Sequence, residues 1–286
     1  MPIQARQGGT IVLRVGDGPQ FMAVGAVARG QAPSVSRLGI AVDDFDADRI
    51  IERLAAFGVR RAGPGMPAER ALRAWTVRRG AEEGGGSEGT EELYFGDPGG
   101  IVTQIVDAAH CGGAGPLGTR CGAPELSPLS GLLAVRDISH CCLRVSDPPR
   151  WYRFYQDAFG LPVQALQGST AALGLGGGPQ FLMAPGSGAT TAAPGAGYID
   201  HACLTVEGFD KDEILGTLSD FGIQPRAGGG GAVEPLRSYI SMRMPDRGGV
   251  EGGTPELYFT DPDGIRIQLQ DTTYCGGGGP LGEICY

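Results

Sequence analysis

Histidine and cysteine residues alternate at two places in the 286-residue sequence, and their types and spacing could support metal chemistry. Cys142 follows His140 two positions later, and Cys203 follows His201, each within an apolar stretch typical of a β-strand. Side chains two apart along a strand share a face, so each cysteine is expected beside its histidine. Thiolates there would favour Zn or Cu over Fe or Mn. Two other interpretations stay open, because buried cysteines often only pack and Cys142 and Cys203 could form a disulfide.

Four further cysteines delimit two glycine-rich loops of one design, Cys111 to Cys121 and Cys275 to Cys285. Paired zinc ligands are usually about two to four residues apart, so the wider spacing here favours a disulfide within each loop. Two such bridges predict an exported protein, periplasmic or secreted. Reduced thiols in a cytoplasmic protein are the alternative.

The composition argues against several functional classes. With 23 Lys+Arg against 32 Asp+Glu, the net charge of −9 disfavours binding to a nucleic-acid backbone. No apolar run approaches the roughly 20 residues that a membrane-spanning helix needs.

An internal repeat organises the chain. The segment Glu92–Ile101 recurs 164 positions later as Glu256–Ile265, and Gly18–Phe21 recurs 160 positions later as Gly178–Phe181. Such ungapped matches indicate a tandem duplication. We therefore expect two domains, residues 1–122 and 135–286, joined by a proline-containing linker that starts at Gly122.

The two copies differ at their start. Met1–Gln4 aligns with Leu161–Gln164, so the first copy has no equivalent of the segment that opens the second copy. That segment is predicted to be a strand, Ile138–Val145, followed by a helix, Pro149–Phe159, with Asp147 as its cap. Truncation of the first copy is one explanation, and a strand supplied by another subunit is the other.

Hydrophobic periodicity predicts an α+β fold. In the second copy, helix 210–221 carries an apolar stripe, and strands are expected near 170–175, 180–183, 199–206, 239–244, 256–259 and 265–269. The first copy repeats the later half with strand 38–42 and helix 46–57. The predicted unit is βαβββ, used four times with the first one incomplete. Loops 61–70 and 227–233 are candidate lids.

The βαβββ pattern, the Ile138-Ser139-His140 and Ile199-Asp200-His201 openings, and the Leu-Tyr-Phe-x-Asp-Pro-x-Gly block before each last strand carry a family resemblance. With these features the chain resembles the vicinal oxygen chelate superfamily, the group of glyoxalases, bleomycin-resistance proteins and ring-cleaving dioxygenases. The resemblance implies two cup-shaped barrel domains. It also implies one divalent metal ion, held by the first strand of each half and by the last strand of the second half.

Transferred to the second copy, the resemblance implies His140, His201 and Gln268 as metal ligands. Gln268 departs from the family pattern, which usually has Glu there, and this puts iron-dependent ring cleavage in doubt. The metal could be Fe, Zn, Cu, Ni or Mn. In the first copy Arg37 occupies the position of His201, so no metal site is expected there.

The resemblance implies a metal-dependent dioxygenase, lyase or isomerase whose small-molecule substrate chelates the ion through neighbouring oxygens. Arg144, on the His140 face, and Tyr258 are candidate substrate contacts. A metal-free binding protein of the bleomycin-resistance type is the alternative function, and a structural or metal-storage role is a third. A homodimer is possible, and neither nucleic acid nor membrane is an expected partner.

Overall fold

The computed structural model describes residues 1–63, 65–186, 196–227 and 233–286. Most of the candidate lid loop 227–233, and residue 64 of the other candidate lid, lie outside these ranges. The described helices and strands of the first copy are β1 (Ile3–Gln7), β2 (Thr10–Arg14), β3 (Phe21–Val24), β4 (Arg37–Val42), α1 (Ala47–Ala55), β5 (Arg60–Arg61), β6 (Arg73–Arg79), β7 (Thr90–Gly96) and β8 (Val102–Asp107).

The described part of the second copy contains two α-helices and the remaining strands. They are β9 (Val135–Arg144), α2 (Pro148–Phe159), β10 (Val163–Gln167), β11 (Thr170–Gly174), β12 (Phe181–Met183), β13 (Tyr198–Val206), α3 (Lys211–Asp220), β14 (Gln224–Pro225), β15 (Arg237–Arg243), β16 (Thr254–Thr260) and β17 (Arg266–Asp271). Short 3-10 helices occur at Ala81–Glu83 and Pro245–Arg247. The α+β class and the βαβββ modules are as predicted.

One nine-stranded sheet contains all strands of the second copy, in the order β10-β11-β12-β9-β13-β17-β16-β15-β14. The opening strands of its two modules, β9 and β13, pair antiparallel at its centre. Each of them pairs in parallel with the last strand of its own module, β12 and β17 respectively. This arrangement puts the residues of the two His-x-Cys segments next to one another.

The strands of the first copy form two separate sheets, β1-β2-β3 and β4-β8-β7-β6-β5. The pairing of β1 with β2 repeats that of β10 with β11, including the irregularity after the first pair. Within the described ranges, no strand joins β3 to β4 in the way that β9 joins β12 to β13. The difference follows from the alignment, in which the first copy has no equivalent of β9 and α2.

Helix α2 begins and ends where the predicted capping residues stand. The side chain of Asp147 accepts a hydrogen bond from the backbone N–H of Arg150, prolines occupy the first turn of α2, and Gly160 ends it in the left-handed conformation with φ 66°. Asp46 caps α1 in the same way through Arg49. These local signals are readable in the sequence because they involve only near neighbours.

Helix α2 packs against strands of the first copy as well as its own. Trp151, Phe154 and Tyr155 belong to one buried cluster with residues of β4, β7, β8 and α1. Asp97, at the turn between β7 and β8, accepts hydrogen bonds on Oδ2 from Trp151 Nε1 at 2.7 Å and from Tyr155 Oη at 3.4 Å. The copies therefore share a core, a contact that repeat spacing did not indicate.

Both glycine loops close as the cysteine spacing predicts. Cys111 and Cys121 are bonded, with Cα atoms 6.2 Å apart, and Cys275 and Cys285 are bonded, with Cα atoms 6.3 Å apart. The periodicity analysis did not locate strands β1, β2, β3, β5, β10 and β14. Strands β5 and β14 have only two residues each, too few to show an alternation. No helix in the described ranges combines the length and apolar character needed to cross a bilayer.

Candidate functional site

The two His-x-Cys segments meet face to face at the centre of the nine-stranded sheet. Antiparallel pairing sets His140 opposite Cys203 and Cys142 opposite His201. All four residues are buried, with between 0% and 5% of their surface exposed. Strand geometry thus brings together the two imidazoles and two thiols that the alternation predicts on one face.

Gln268 on β17 joins this group from the neighbouring strand. It lies beside Cys203 in the parallel register of β13 and β17, and its Oε1 is 3.2 Å from Nε2 of His140. The His140 and His201 rings are 5.7 Å apart between centroids and nearly perpendicular, at 78°. The three residues expected to surround a metal are therefore neighbours.

This geometry can accommodate a single metal ion. With metal–nitrogen bonds of about 2.0–2.1 Å, each imidazole centroid lies roughly 3.2 Å from the metal, so two rings on one ion are separated by up to roughly 6.4 Å. The observed 5.7 Å falls within that limit. In addition, Nε2 of Gln268 is buried and has no hydrogen-bond partner among the described residues. A polar cluster with an unpartnered amide nitrogen has capacity for a further polar ligand.

Burial keeps the imidazole of His140 neutral. Desolvation is the largest effect and lowers its pKa well below the usual value, with the charge of His201 acting in the same direction. The ring stacks on Phe181 at 4.3 Å between centroids and lies 5.6 Å from the Tyr274 ring. A neutral imidazole packed against aromatic rings is suited to act as a metal ligand.

Asp200 is a site residue that the sequence analysis did not identify. The register of β9 and β13 shifts between Ile199 and His201, so Asp200 occupies an irregularity in the strand. Its Oδ2 lies 2.7 Å from Nδ1 of His201 and accepts a hydrogen bond from Arg266 Nη1 at 3.0 Å. The position of Asp200 directly before His201 was the one sequence signal for its role. It was not used because regular alternation would place Asp200 on the opposite face of the strand from His201.

Charged neighbours hold Asp200 in its ionised form. Burial acts to raise the pKa of Asp200, but the hydrogen bond and charge of His201 outweigh it, helped by Arg266 and Arg144, and the pKa falls to about 2. Arg144 Nε lies 3.6 Å from Asp200 Oδ1. The predicted substrate contact Arg144 is thus next to the histidine cluster, and Arg266 stands beside it.

A second combination of potential ligands overlaps the first. Ligand atoms of Cys142, Asp200 and His201 lie within 4.8 Å of one another. Burial is the main reason that the pKa of the Cys142 thiol rises to about 12, so this sulfur is protonated at neutral pH. Cys142 and Cys203 are both free thiols, so the disulfide considered between them is not formed.

Tyr258 reaches the site from β16. Its ring approaches His201 edge-on at 5.3 Å between centroids, and its hydroxyl donates to Glu256 Oε2 at 3.4 Å. Burial, followed by the charge of Glu256, raises the pKa of Tyr258 well above its usual value. Glu256 in turn accepts a 3.0 Å hydrogen bond from Arg243, which is fully buried and also donates to the backbone oxygen of Gly277.

The first copy has the same Arg–Glu–Tyr network without the histidines. Arg79 donates to Glu92 at 2.9 Å, and Tyr94 donates to the other oxygen of Glu92 at 2.7 Å. The guanidinium of Arg37, which takes the position of His201, lies over the Tyr94 ring at 5.6 Å. In both copies the arginine of this network also holds the glycine loop, since Arg79 donates to the backbone oxygen of Gly113 as Arg243 does to that of Gly277.

Comparison with curated protein sequences gave no match. Among solved structures, a catechol 2,3-dioxygenase is similar with a TM-score of 0.53 and 16% sequence identity, over 98% of this chain and 80% of that one. BphC, a halotolerant catechol dioxygenase, gives a TM-score of 0.54 and 18% identity over 98% and 78% of the two chains. The 2,2',3-trihydroxybiphenyl 1,2-dioxygenase from dibenzofuran-degrading Sphingomonas wittichii strain RW1 gives a TM-score of 0.53 and 15% identity, over 97% of this chain and 80% of that one.

At these identities the structural likeness shows a common fold. The sequence adds a family assignment, since residues 137–269 match the Glyoxalase/Bleomycin resistance protein/Dioxygenase superfamily. The matched segment contains His140, His201 and Gln268 and spans both βαβββ modules of the nine-stranded sheet. Through these residues, the second copy matches the Glyoxalase/Bleomycin resistance protein/Dioxygenase superfamily.

Proposed function

We propose that this protein is a metal-dependent enzyme that acts on a small molecule bound to a divalent ion through neighbouring oxygens. The observation that carries the proposal is the convergence of His140, His201 and Gln268, with Nε2 of His140 3.2 Å from Oε1 of Gln268 and the two rings 5.7 Å apart. The metal-binding domain is residues 135–286, and residues 1–122 form a domain without a metal.

His140 and His201 would hold the ion through ring nitrogens, and Gln268 would hold it through its amide oxygen. When bound, a divalent ion supplies a Lewis acid that polarises substrate oxygens. Because all three ligands are neutral, the ion would keep its full positive charge in a buried site. This favours a substrate that brings negative charge, such as an enolate or a catecholate.

The chain's own residues orient the two rings. Nδ1–H of His201 donates a hydrogen bond to the carboxylate of Asp200, which leaves Nε2 of that ring free to bind. On the other ring, Ser139 Oγ lies 3.2 Å from Nδ1 of His140. This contact likewise leaves Nε2 of His140 to bind the ion. Both contacts fix the ring that they touch before substrate arrives.

Three side chains at the edge of the cluster would contact substrate. Arg144 and Arg266 share the single carboxylate of Asp200, so positive charge exceeds negative charge around it. They would orient an anionic substrate. Tyr258 stays a neutral phenol at physiological pH, because its raised pKa favours the protonated form, and it would serve as a hydrogen-bonding wall.

Ring cleavage by a dioxygenase and a lyase or isomerase reaction both use such a site. The catechol dioxygenases of like fold favour the first. Gln268, where a carboxylate is usual, favours the second, because a neutral ligand binds hard cations such as Fe²⁺ less strongly. Cys142 and Cys203 beside the ligands favour Zn or Cu if either thiol becomes a thiolate.

Metal content tests the proposal directly. We expect purified protein loaded with Fe²⁺, Mn²⁺, Zn²⁺ or Cu²⁺ and then desalted to retain close to one ion per chain by elemental analysis. His140→Ala and His201→Ala should each abolish retention, whereas His110→Ala, in the loop of the first copy, should not. Metal retention unchanged in the double variant of His140 and His201 would remove the enzyme proposal.

A metal-free binding protein of the bleomycin-resistance type is the second candidate. The direct contact between His140 and Gln268 favours it, since it satisfies the two side chains without an ion. Wild-type protein that retains no ion but binds a small aromatic ligand would support this function.

We also propose that the protein is exported, because its two loop disulfides suit an oxidising compartment. Free-thiol mapping tests this proposal. Four alkylatable loop cysteines in protein isolated from its source without reductant would contradict it.

A further inference from the structure

Unused hydrogen-bonding capacity is concentrated on one face of β17. Among the described residues, five buried side-chain nitrogen or oxygen atoms have no hydrogen-bond partner, and four of them lie on this strand: Nε of Arg266, Nε2 of Gln268, and Nε2 and Oε1 of Gln270. The register of β17 with both neighbouring strands is regular, so these alternate residues share the face on which Gln268 meets His140. We call Arg266, Gln268 and Gln270 the polar strip.

Gln270 is the least satisfied member of the polar strip. It is 0% exposed, and neither the nitrogen nor the oxygen of its amide has a partner in the described ranges. Thr205, beside it on β13, uses its hydroxyl oxygen to accept a backbone N–H. The register of β16 and β17 continues to Glu256, whose carboxylate is bonded to Arg243. Since buried amides are nearly always hydrogen-bonded, a bound polar group is expected at Gln270.

The internal repeat shows that the strand pairing does not require the polar strip. Strand β8 of the first copy pairs in parallel with β4 and antiparallel with β7, as β17 does with β13 and β16. The residues 164 positions before the polar strip are Val102, Gln104 and Val106. Valine thus replaces Arg266 and Gln270 in the copy that has no histidine at the position of His201. The two outer members of the polar strip accompany the histidines, not the fold.

The charges near Gln270 favour a neutral ligand group. The Glu256 carboxylate on the adjacent strand disfavours an anion, and Arg243, whose Nε lies 3.0 Å from Glu256 Oε1, disfavours a cation. An amide presents N–H donors on one side and an acceptor oxygen on the other. A hydroxyl group matches both, because it can accept from Nε2 and donate to Oε1. The surroundings of Gln270 therefore suit a neutral hydroxyl group.

We propose that Gln270 is a specificity-determining residue that binds a hydroxyl group of the substrate, beyond the two oxygens that reach the ion. The inference rests on the proposed function, because it concerns the substrate of that same site. Residues two apart on a strand are separated by roughly 6–7 Å, so a molecule of one ring can reach from an ion held by Gln268 to the amide of Gln270. The substrate class is a small chelating molecule with at least three hydroxyl groups.

Stability of the ligand-free protein tests whether Gln270 has a structural partner. Gln270→Met keeps the length of the side chain and removes an unpaired amide, so the urea midpoint should equal or exceed that of wild type. Gln164→Met is the control, because Nε2 of Gln164 donates to the backbone oxygens of Pro179 and Cys275, each at 2.9 Å, and its midpoint should fall. Any fall in Gln270→Met would show that bonded water already satisfies the amide, and would overturn the proposal.

Binding of hydroxylated probes tests the ligand class. Zn²⁺-loaded protein, kept free of oxygen, is titrated by calorimetry with catechol, pyrogallol and 1,2,4-trihydroxybenzene. We expect at least one of the two triols to bind about tenfold more tightly than catechol, the worth of one or two hydrogen bonds. Gln270→Met should remove this advantage, whereas Gln104→Met, on the equivalent strand of the first copy, should keep it.

The outcomes separate this inference from the proposed function. Equal affinities of catechol and both triols for the Zn²⁺-loaded wild type would overturn the inference alone, and so would a Gln270→Met variant that keeps the advantage. Protein that retains no Zn²⁺ would overturn the proposed function, and the inference with it.

Discussion

The carboxylate of Asp200 contacts the ring of the residue that follows it, with Oδ2 2.7 Å from Nδ1 of His201. Consecutive residues of a regular strand point to opposite faces, so this contact depends on the register shift between β9 and β13. The shift gives His201 a fixed ring orientation. It also brings Arg144 and Arg266 to the same carboxylate.

Asp200→Ala should weaken metal binding without unfolding the protein. Loss of a carboxylate that orients a ligating histidine typically costs about 10–100-fold in metal affinity. Asp200→Asn, which keeps an acceptor oxygen, should lose less. Competition with a chromophoric chelator measures the dissociation constant, and Asp220→Ala, an exposed change at the end of α3, is the control. Equal affinity of Asp200→Ala and wild type would show that Asp200 does not position a ligand.

Gln268→Glu should increase affinity for hard divalent ions by at least about tenfold. A carboxylate adds negative charge to an otherwise neutral ligand set, and Mn²⁺ and Fe²⁺ prefer such oxygen ligands. Titration with Mn²⁺ followed by electron paramagnetic resonance measures the change. Gln270→Glu, two positions along the same strand, is the matched control. If Mn²⁺ affinity rises equally in both variants, the gain comes from general charge and Gln268 is not a ligand.

The native protein should contain two disulfides and three thiols of low reactivity, of which Cys142 and Cys203 are buried and Cys141 is half-buried. Cys141, Cys142 and Cys203 are the free cysteines, and burial is the leading reason that each has a raised thiol pKa. We expect a thiol reagent to find three groups per chain in urea without reductant and close to none in the folded protein. More than three groups in urea would show that a loop bridge is missing.

Removing the bridge near the carboxyl end should lower stability. Replacing both Cys275 and Cys285 with Ser should reduce the free energy of unfolding by about 2–4 kcal/mol, because the unfolded loop gains freedom. Urea denaturation measures the loss. The same change at Cys111 and Cys121 is the comparison, and no loss in either variant would show that the loops are held by their hydrogen bonds alone.

Stability should depend on pH through Asp97. Burial raises the pKa of Asp97 to about 6, although hydrogen bonds from Ile101, Trp151 and Gly99 oppose the rise. An aspartate in the unfolded chain has a pKa of roughly 3.9. Between the unfolded and folded pKa values, the folded protein therefore binds more protons than the unfolded chain. The contribution of Asp97 to the free energy of unfolding is therefore full below pH ~4 and falls by about 2–3 kcal/mol as the pH rises through ~6.

Urea denaturation between pH 4 and 8 measures this effect. Asp97→Asn should be less stable at every pH but should lack the downward slope between pH 4 and 6, since asparagine does not titrate. Asp261→Asn is the control for loss of the turn itself, because its turn has the same backbone hydrogen bonds without the contact to α2. An unchanged slope in Asp97→Asn would assign the titration to another group.

The sequence predicted those features that depend on near neighbours or on the repeat. The offset between Glu92–Ile101 and Glu256–Ile265 predicted the modules, and Asp147 and Gly160 predicted the ends of α2. Alternation in the His-x-Cys segments predicted that each histidine shares a strand face with its cysteine. The register of β9 and β13 then sets His140 opposite Cys203 and His201 opposite Cys142. The ligand role of these residues remains a proposal.

Other features could not be predicted because they depend on irregularity or on contacts between distant segments. A single irregular residue moves Asp200 to the face of His201, and nothing in the local residue pattern marks where register will shift. Trp151 and Asp97 are far apart in sequence and in different copies, so their contact requires the three-dimensional arrangement of both. Periodicity reports the face of an element, but not which other element will cover it.

The link between Asp97 and α2 has a mechanical consequence. Swinging one copy away from the other would break buried hydrogen bonds to Trp151 and Tyr155 and expose the aromatic cluster around them. Hinge opening between the halves is therefore costly. The two copies are therefore expected to move as one unit, and a small molecule that reached the histidines would do so without a hinge motion between them.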